Sequence, residues 1–295
     1  MPHVAILTMD SLEDFFAYDN MLDEPMRLAG WQTQHVSWRD ASVDWNRFDV
    51  VIVRSPWDYQ DDANAFLACL NNIEQSRAVL ENPYSLMRWN IAKTYLCDLN
   101  EQGVPIVPTL WFEHYKPDML SQGFASFNVD TLIVKPVVSA NADHTYRITS
   151  EEIGTHTDSL KSVFADRALM IQPFLPSVLL PGEFSLFYFD HQYSHAILKT
   201  PKADDFRVQE EHGGRLTAVE PTAQMCAVAE QTLAALPQRA LYARVDLIET
   251  DQGLAVMEVE LIEPSLYFNM DDSSAQRFTN VFVQKYAHIA QSSTR

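Results

Sequence analysis

Tyr242–Phe268 reads YARVDLIETDQGLAVMEVELIEPSLYF, two runs of strand-forming residues around an Asp251-Gln252-Gly253 turn. Strand side chains alternate, so Arg244 and Asp246 share one face of the first run, and Glu258 and Glu260 share one face of the second. A three-residue loop with Gly253 in the left-handed conformation sets Thr250 opposite Leu254. Asp246 then stands opposite Glu258, and Arg244 opposite Glu260; a two-residue turn would break the match. In that register one face carries three carboxylates and a guanidinium among apolar neighbours. Carboxylates so close repel unless cations neutralise them. An all-oxygen donor set suits Mg2+ shared with a phosphate-bearing ligand, with Arg244 as a phosphate contact. The competing reading is the solvated face of an ordinary hairpin, since polar-out alternation is the norm in antiparallel sheets.

Working outward, Phe184–Phe189 and Tyr193–Lys199 flank Asp190-His191-Gln192 and read as a second hairpin. Thr131–Lys135 (TLIVK) and Ala168–Phe174 (ALMIQPF) are apolar on both faces, as central strands are. The pattern predicts helices over Leu86–Gln102, ended by Gly103, and over Ala218–Leu236, ended by Pro237, with a polar tail after Ile289. At the start of the chain, Val4–Thr8 and Asp49–Arg54 alternate with helix-like stretches. The expected fold is an α/β N-terminal unit joined to an α+β body. The expected units are 1–88, 89–170 and 171–295.

The 295 residues are 47% hydrophobic and 21% charged, ordinary globular composition. A net charge of −19 argues against nucleic acid as the main partner, because phosphate backbones need a basic footprint. An acidic chain that binds a nucleotide needs a few focused cations and a metal ion. No apolar run approaches the ~20 residues that span a bilayer, and Met1–Leu12 has no signal-peptide pattern, so a soluble cytoplasmic protein is expected. Cys69, Cys97 and Cys226 form no CxxC pair and read as reduced, mostly buried thiols. With only eight glycines, no GxxxxGK[ST] and no GxGxxG, glycine-loop modes of phosphate binding are excluded.

Lys135 closes an apolar strand and Lys93 lies in RWNIAKTYL. Each alone reads as an ordinary lysine reaching solvent; with Arg207 and Arg244 they make a focused positive set. Thr200–Gly214, TPKADDFRVQEEHGG, is long and charged, either a plain surface loop or a lid that brings Arg207 onto a phosphate. His144, His191, His195 and His212 show no metal-ligand spacing and read as surface or loop residues.

In this order the pieces resemble the ATP-grasp superfamily, in its glutathione synthetase and D-alanine–D-alanine ligase branch, from about Asn82 to Asn269. NPYSLMRWNIAKTYL puts Lys93, and IVKP puts Lys135, on the family's phosphate-binding lysines. MIQPFL resembles its adenine-holding strand, here Gln172, Pro173, Phe174 and Leu175. PGEFS puts Glu183 on its ribose contact, and Lys199 falls among the nucleotide-binding positions. RVDLIETDQGLAVMEVE matches its R-x-D…E-x-N segment, which implies Asp246, Glu258 and Glu260 as metal ligands, with Glu260 where the family commonly has Asn.

RSPWDY, VKPVVSANADHTYR and ELIEPSLYF are similar to the narrower O-ureido-D-serine cyclo-ligase group of D-cycloserine biosynthesis. The resemblance implies two subdomains clamping ATP, with one or two Mg2+ ions that Mn2+ replaces. It implies a ligase in which a small carboxylate becomes an acyl phosphate and a nitrogen nucleophile attacks it. Arg207, Arg244, Gly213 and Gly214 would serve catalysis. Arg54, Ser55, Asp58 and Ser265 are candidates for the substrate pocket. Ring closure within one substrate and a nucleotide-binding regulator without turnover are the alternatives. Small-molecule partners, no nucleic acid, no membrane, and a homodimer as the assembly to test complete the expectations.

Overall fold

The computed structural model describes residues 1–203 and 205–292. Its first sheet is parallel, ordered β2-β1-β3-β4, from β1 (His3–Thr8), β2 (Gln32–Ser37), β3 (Val50–Ser55) and β4 (Val79–Glu81). β1 and β3 are the two apolar runs visible in the sequence, and both are buried. β2, at one edge of the sheet, is polar (QTQHVS) and β4 is only three residues long, so neither shows a strand pattern. Helices α1 (Asp23–Leu28) and α2 (Ala63–Glu74) make the crossovers that parallel pairing requires. The chain continues through α3 (Tyr84–Asn90) and α4 (Tyr95–Glu101), where one helix was expected.

The second sheet is antiparallel, ordered β5-β8-β6-β7, from β5 (Leu110–Phe112), β6 (Thr131–Pro136), β7 (Tyr146–Thr149) and β8 (Leu169–Pro173). Leu120 of α5 (Met119–Phe127) and Leu160 of α6 (Ile153–Val163) pack with Leu132, Ile148 and Ile171 of the sheet. The third sheet, ordered β11-β10-β9-β12-β13, contains β9 (Glu183–Phe189), β10 (Gln192–Thr200), β11 (Arg215–Ala218), β12 (Tyr242–Thr250) and β13 (Gly253–Glu260). β9 and β10 turn through Asp190 and His191, both at positive φ (47° and 61°), as a tight two-residue hairpin demands. The helix expected from Ala218 begins only at α7 (Ala223–Ala234), where the Thr222 hydroxyl accepts from the Met225 amide at 3.2 Å.

A C-terminal helix, α8 (Ser274–Lys285), was not anticipated, and α9 (Ala287–Ser292) occupies part of the expected polar tail; residues 293–295 of that tail lie outside the described residues. Phe278 and Phe282 of α8 join the first and third sheets: Phe282 meets Trp31 edge-on at 4.8 Å and Phe278 meets Phe189 at 5.2 Å. The expected boundary at 88 falls inside α3 and that at 170 falls inside β8. We propose instead divisions at Asn82-Pro83 and within 174–182, where the chain passes between sheets.

His195 is buried rather than exposed, stacked on Phe187 at 4.2 Å with its Nε2 3.0 Å from the Leu266 carbonyl. Burial pulls its pKa down from 6.5 to about 4. Between those values the unfolded chain binds the proton and the folded chain does not, so stability falls as the pH drops below 6.5. At about 1.4 kcal/mol per unit the loss reaches ~3 kcal/mol. Urea unfolding at pH 7 and pH 4.5 should therefore show a larger acid loss for the wild type than for His195→Gln; equal losses would refute the assignment.

Candidate active site

The β12–β13 hairpin turns through two residues, Asp251 and Gln252, with Thr250 opposite Gly253 at φ 111°. The expected three-residue loop is absent. A β-bulge between Asp246 and Leu247 places an extra residue, Met257, in β13, and this restores Asp246 opposite Glu258 and Arg244 opposite Glu260. The three carboxylates and the guanidinium therefore share a face, by bulge rather than by loop. Arg244 binds Asp246 at 2.9 Å and also Glu260. On the neighbouring strands Ser185 donates to Asp246 at 2.5 Å, and Lys199 pairs with Glu183 at 2.5 Å and Asp246 at 3.4 Å. Charges of opposite sign thus alternate across β13, β12, β9 and β10.

Lys93 sits in the break between α3 and α4, and its ammonium pairs with Glu258 and donates to the Ser139 carbonyl at 3.2 Å. The break has a cause in β13, whose outer edge would otherwise present bare backbone groups. Asn90 accepts from the Leu261 amide (3.0 Å) and donates to the Val259 carbonyl (2.9 Å), while Tyr95 accepts from the Val259 amide (2.8 Å). Lys135, from β6, has no ion pair among the described residues, and burial lowers its pKa.

These residues line one cavity between the second and third sheets. Its apolar lining comprises Val107, Ile133, Phe174, Leu175, Val178 and Met257, with Gln172 and Pro173. Its charged lining comprises Lys93, Lys135, Glu183, Lys199, Arg244, Asp246, Glu258 and Glu260. Trp57, Ser139–Ala142, Glu263, Ser265 and Tyr267 also line it. Burial works against the Asp246 charge, but Arg244 and Lys199 outweigh it and hold the carboxyl at about 2. Burial pushes Glu260 up to about 8 despite Arg244. Among the described residues no three metal-ligating side chains converge on one point, because Asp246, Glu258 and Glu260 are each drawn to a cation. Three carboxylates on one cavity face remain an oxygen donor set suited to Mg2+.

Three of the four proposed substrate residues lie elsewhere. Arg54 is fully buried, paired with Asp19 at 2.9 Å, stacked over Tyr242 and bonded to the Pro264 carbonyl. Ser55 bonds Thr8, and Asp58 holds Trp38 and Arg39 outside the cavity. Only Ser265 lines it. The role of Arg54 is to anchor a strap. Along residues 261–266 every backbone carbonyl accepts from another element: Leu261 from Asn82 (2.7 Å), Ile262 from Tyr242 (3.0 Å), Glu263 from Trp57 (2.8 Å), Pro264 from Arg54, Ser265 from Arg244 (3.4 Å), and Leu266 takes the His195 ring nitrogen (3.0 Å). None of these anchoring roles is readable from spacing, since each joins residues far apart in sequence.

The 200–214 segment covers the cavity, with Asp204 outside the described residues. Phe206, Arg207, Val208, Gln209 and Glu211 line it. Arg207 is held by Asp205 at 2.9 Å rather than by a phosphate-site residue. Two contacts tie the lid to the N-terminal loop: Tyr18 donates to Glu210 at 3.2 Å, and the Phe16 amide to Glu211 at 3.5 Å. Gly213 (φ 84°) and Gly214 lie outside the cavity lining and shape the lid; a Cβ on Gly214 would stand 2.0 Å from the Val208 carbonyl oxygen.

Two sheets clamping a cavity of this composition define an ATP-grasp fold. At the level of fold the chain resembles the ATP-grasp ligase PsnB, solved with a phosphomimetic variant of its minimal precursor, Mg and ADP, at TM-score 0.66 and 15% identity, over 96% of this chain and 97% of that one. A family described as the N-terminal domain of D-cycloserine synthetase DcsG matches residues 4–82. The cycloserine biosynthesis protein DcsG of Streptomyces lavendulae is 30% identical over 279 residues, which cover 89% of this chain and 91% of that protein. The crystal structure of D-cycloserine synthetase DcsG superposes at TM-score 0.85 with 29% identity, over 96% of this chain and 99% of that one. The chain belongs to the DcsG family of ATP-grasp ligases, enzymes that form carbon–nitrogen bonds. No helix among the described residues is long and apolar enough to cross a membrane.

The lid geometry yields a separable prediction. Gly214→Ala cannot keep its approach to Val208, so the lid should fail to fold while the sheets stay intact. We expect at least a tenfold loss of turnover with the melting temperature and nucleotide affinity unchanged; full turnover would refute a closed-lid requirement.

Proposed function

We propose that the protein activates the carboxylate of a small amino-acid-like substrate by phosphoryl transfer from ATP and then joins the acyl group to a nitrogen. The observation that carries this reading is that one cavity brings together an apolar group of side chains, a set of paired charges and the 200–214 segment. The base would lie on that apolar group beside Gln172–Leu175, with Glu183 toward the ribose. Lys93, Lys135 and Arg244 would hold the phosphates, with Lys93 and Arg244 leaving their present carboxylate partners as the anionic phosphates arrive. Asp246, Glu258 and Glu260 would hold Mg2+, or Mn2+ in its place, which would neutralise phosphate charge. Phosphoryl transfer of this kind needs positioning and charge stabilisation more than a protein nucleophile.

In the first step a substrate carboxylate oxygen bonds to the γ-phosphorus as the bond to ADP breaks. In the second the nitrogen bonds to the acyl carbon, phosphate leaves and the nitrogen gives up a proton. Arg207 in the lid is the cation available to the developing oxyanion, and the lid excludes water that would hydrolyse the acyl phosphate. The relation to a cycloserine biosynthesis protein favours a second form of the reaction, ring closure within one O-ureido-D-serine-type molecule. A cytoplasmic location and a homodimer are compatible with both forms.

The test is release of ADP and phosphate with a panel of amino acids and amino-oxy compounds, with hydroxylamine as acyl trap. Release that requires an added carboxylic acid, with hydroxamate formed, is expected; failure to bind Mg–ATP would sink the reading. Consumption of one substrate without a second amine would identify ring closure. Glu258→Gln should lower turnover at least a hundredfold with an unchanged circular dichroism spectrum, and wild-type turnover would refute the metal assignment.

A further inference from the structure

Of the five carboxylates that β9, β12, β13 and the strap bring to the cavity, four have a cation within ion-pair distance: Glu183 has Lys199, Asp246 has Arg244 and Lys199, Glu258 has Lys93, and Glu260 has Arg244. The fifth, Glu263, is 9% exposed and has no ion pair among the described residues. Its side chain faces the hydroxyl of Tyr59, itself buried. A carboxylate out of water without a counter-ion is costly, by several kcal/mol in order of magnitude. Burial accordingly pushes its carboxyl up to about 7.

Chain position separates Glu263 from the metal-ligand candidates. β13 ends at Glu260, and Glu263 lies on the strap beyond it, with Trp57, Ser265 and Tyr267 also lining the cavity. The strap is fixed on both sides of it, by Tyr242 on the Ile262 carbonyl and Arg54 on the Pro264 carbonyl, and at Glu263 itself by Trp57 on its carbonyl. Such anchoring holds a recognition group in place without help from the ligand. A purely structural partner for Tyr59 would need only a neutral acceptor, which glutamine supplies equally well.

We propose that Glu263 is the specificity-determining residue for a substrate ammonium group, so that this part of the cavity selects zwitterionic amino acids over hydroxy acids and N-acylated acids. Lys93, paired with Glu258, attracts Glu263 only from beyond ion-pair distance, so the ammonium supplies the direct counter-ion, and it leaves the substrate carboxylate free to turn toward Lys135 and the phosphates. Having no lone pair, that ammonium is not the attacking nitrogen; the nucleophile is a second nitrogen. The inference rests on the ligase reading of the cavity.

The experiment is calorimetric titration of the protein loaded with Mg2+ and a non-hydrolysable ATP analogue. The probes are serine, 2,3-diaminopropionate and O-ureido-D-serine, each beside its N-acetyl derivative. We expect the wild type to bind at least one free amine twentyfold or more tighter than its acetylated form. Glu263→Gln should lose that preference by weakening only the free amine, and Glu263→Asp should recover part of it. A wild type indifferent to acetylation overturns the proposal, as does a Glu263→Gln variant that keeps the preference or weakens both forms equally. Failure of the ligase reading shows separately, as absence of ADP release or of analogue binding.

Discussion

Charge removed from water has to be answered by charge, and that constraint organises the middle of this molecule. Arg244 and Asp246 are buried on adjacent sites of one strand, and Lys199, Glu183, Lys93, Glu258 and Glu260 surround them. Breaking any one pair would strand its partner in a low-dielectric interior, at a cost of about 3–5 kcal/mol. The network therefore fixes the register of β12 against both β9 and β13. It also ties Lys93, from a separate stretch of chain, onto β13. Because these contacts are ionic, an anionic ligand with its own cation can replace them without leaving any group unanswered.

The strap of residues 261–266 is a second constraint, and it reassigns residues whose chemistry looked catalytic. A strap outside regular structure has no ladder to satisfy its backbone. Here side chains of Asn82, Tyr242, Trp57, Arg54, Arg244 and His195 satisfy it one carbonyl at a time. Arg54 thereby serves the site at one remove: it orients Pro264, and the residues on either side of that proline face the cavity. Arg244 does both jobs, touching the strap with one nitrogen and the carboxylates with others. Those six residues come from the first and third sheets or their flanks, so the strap is held between two sheets.

The shared face of Arg244, Asp246, Glu258 and Glu260 was legible in the sequence because alternation is a local property and RVD and MEVE each carry it. The route to the correct register was not: a two-residue turn and a bulge at Met257 give the same pairing as the three-residue loop inferred from Gly253. Both paths differ by one residue in each of two places, and the differences cancel. The long helix over 86–102 failed for a non-local reason, since Asn90 and Tyr95 are recruited to cap an edge strand some 165 residues away. Helix α8 escaped notice because its apolar positions Phe278 and Phe282 are few and its partners lie at the other end of the chain. Arg54, Ser55 and Asp58 were assigned to the pocket from the RSPWDY resemblance; Arg54 and Ser55 are buried in the first sheet, and pairing to Asp19, Thr8, Trp38 and Arg39 accounts for all three.

The acidity of the chain looks like an obstacle to binding a polyanion, and the placement of its cations shows why it is not. A charge of −19 is spread over a surface screened by salt within about 10 Å. Lys93, Lys199 and Arg244 are buried and held by carboxylates of the same cavity, and Lys135 is partly buried beside them with no ion pair among the described residues. Inside such walls the local field is set by the near charges and not by the total. The carboxylates that neutralise those lysines and arginines keep them stable in the fold and are also the oxygens a hard cation needs. In the function proposed above, a nucleotide and its metal entering together would turn the cations to phosphate and the carboxylates to metal. One set of buried charges thus serves both conditions, and the acidic surface is left to solubility.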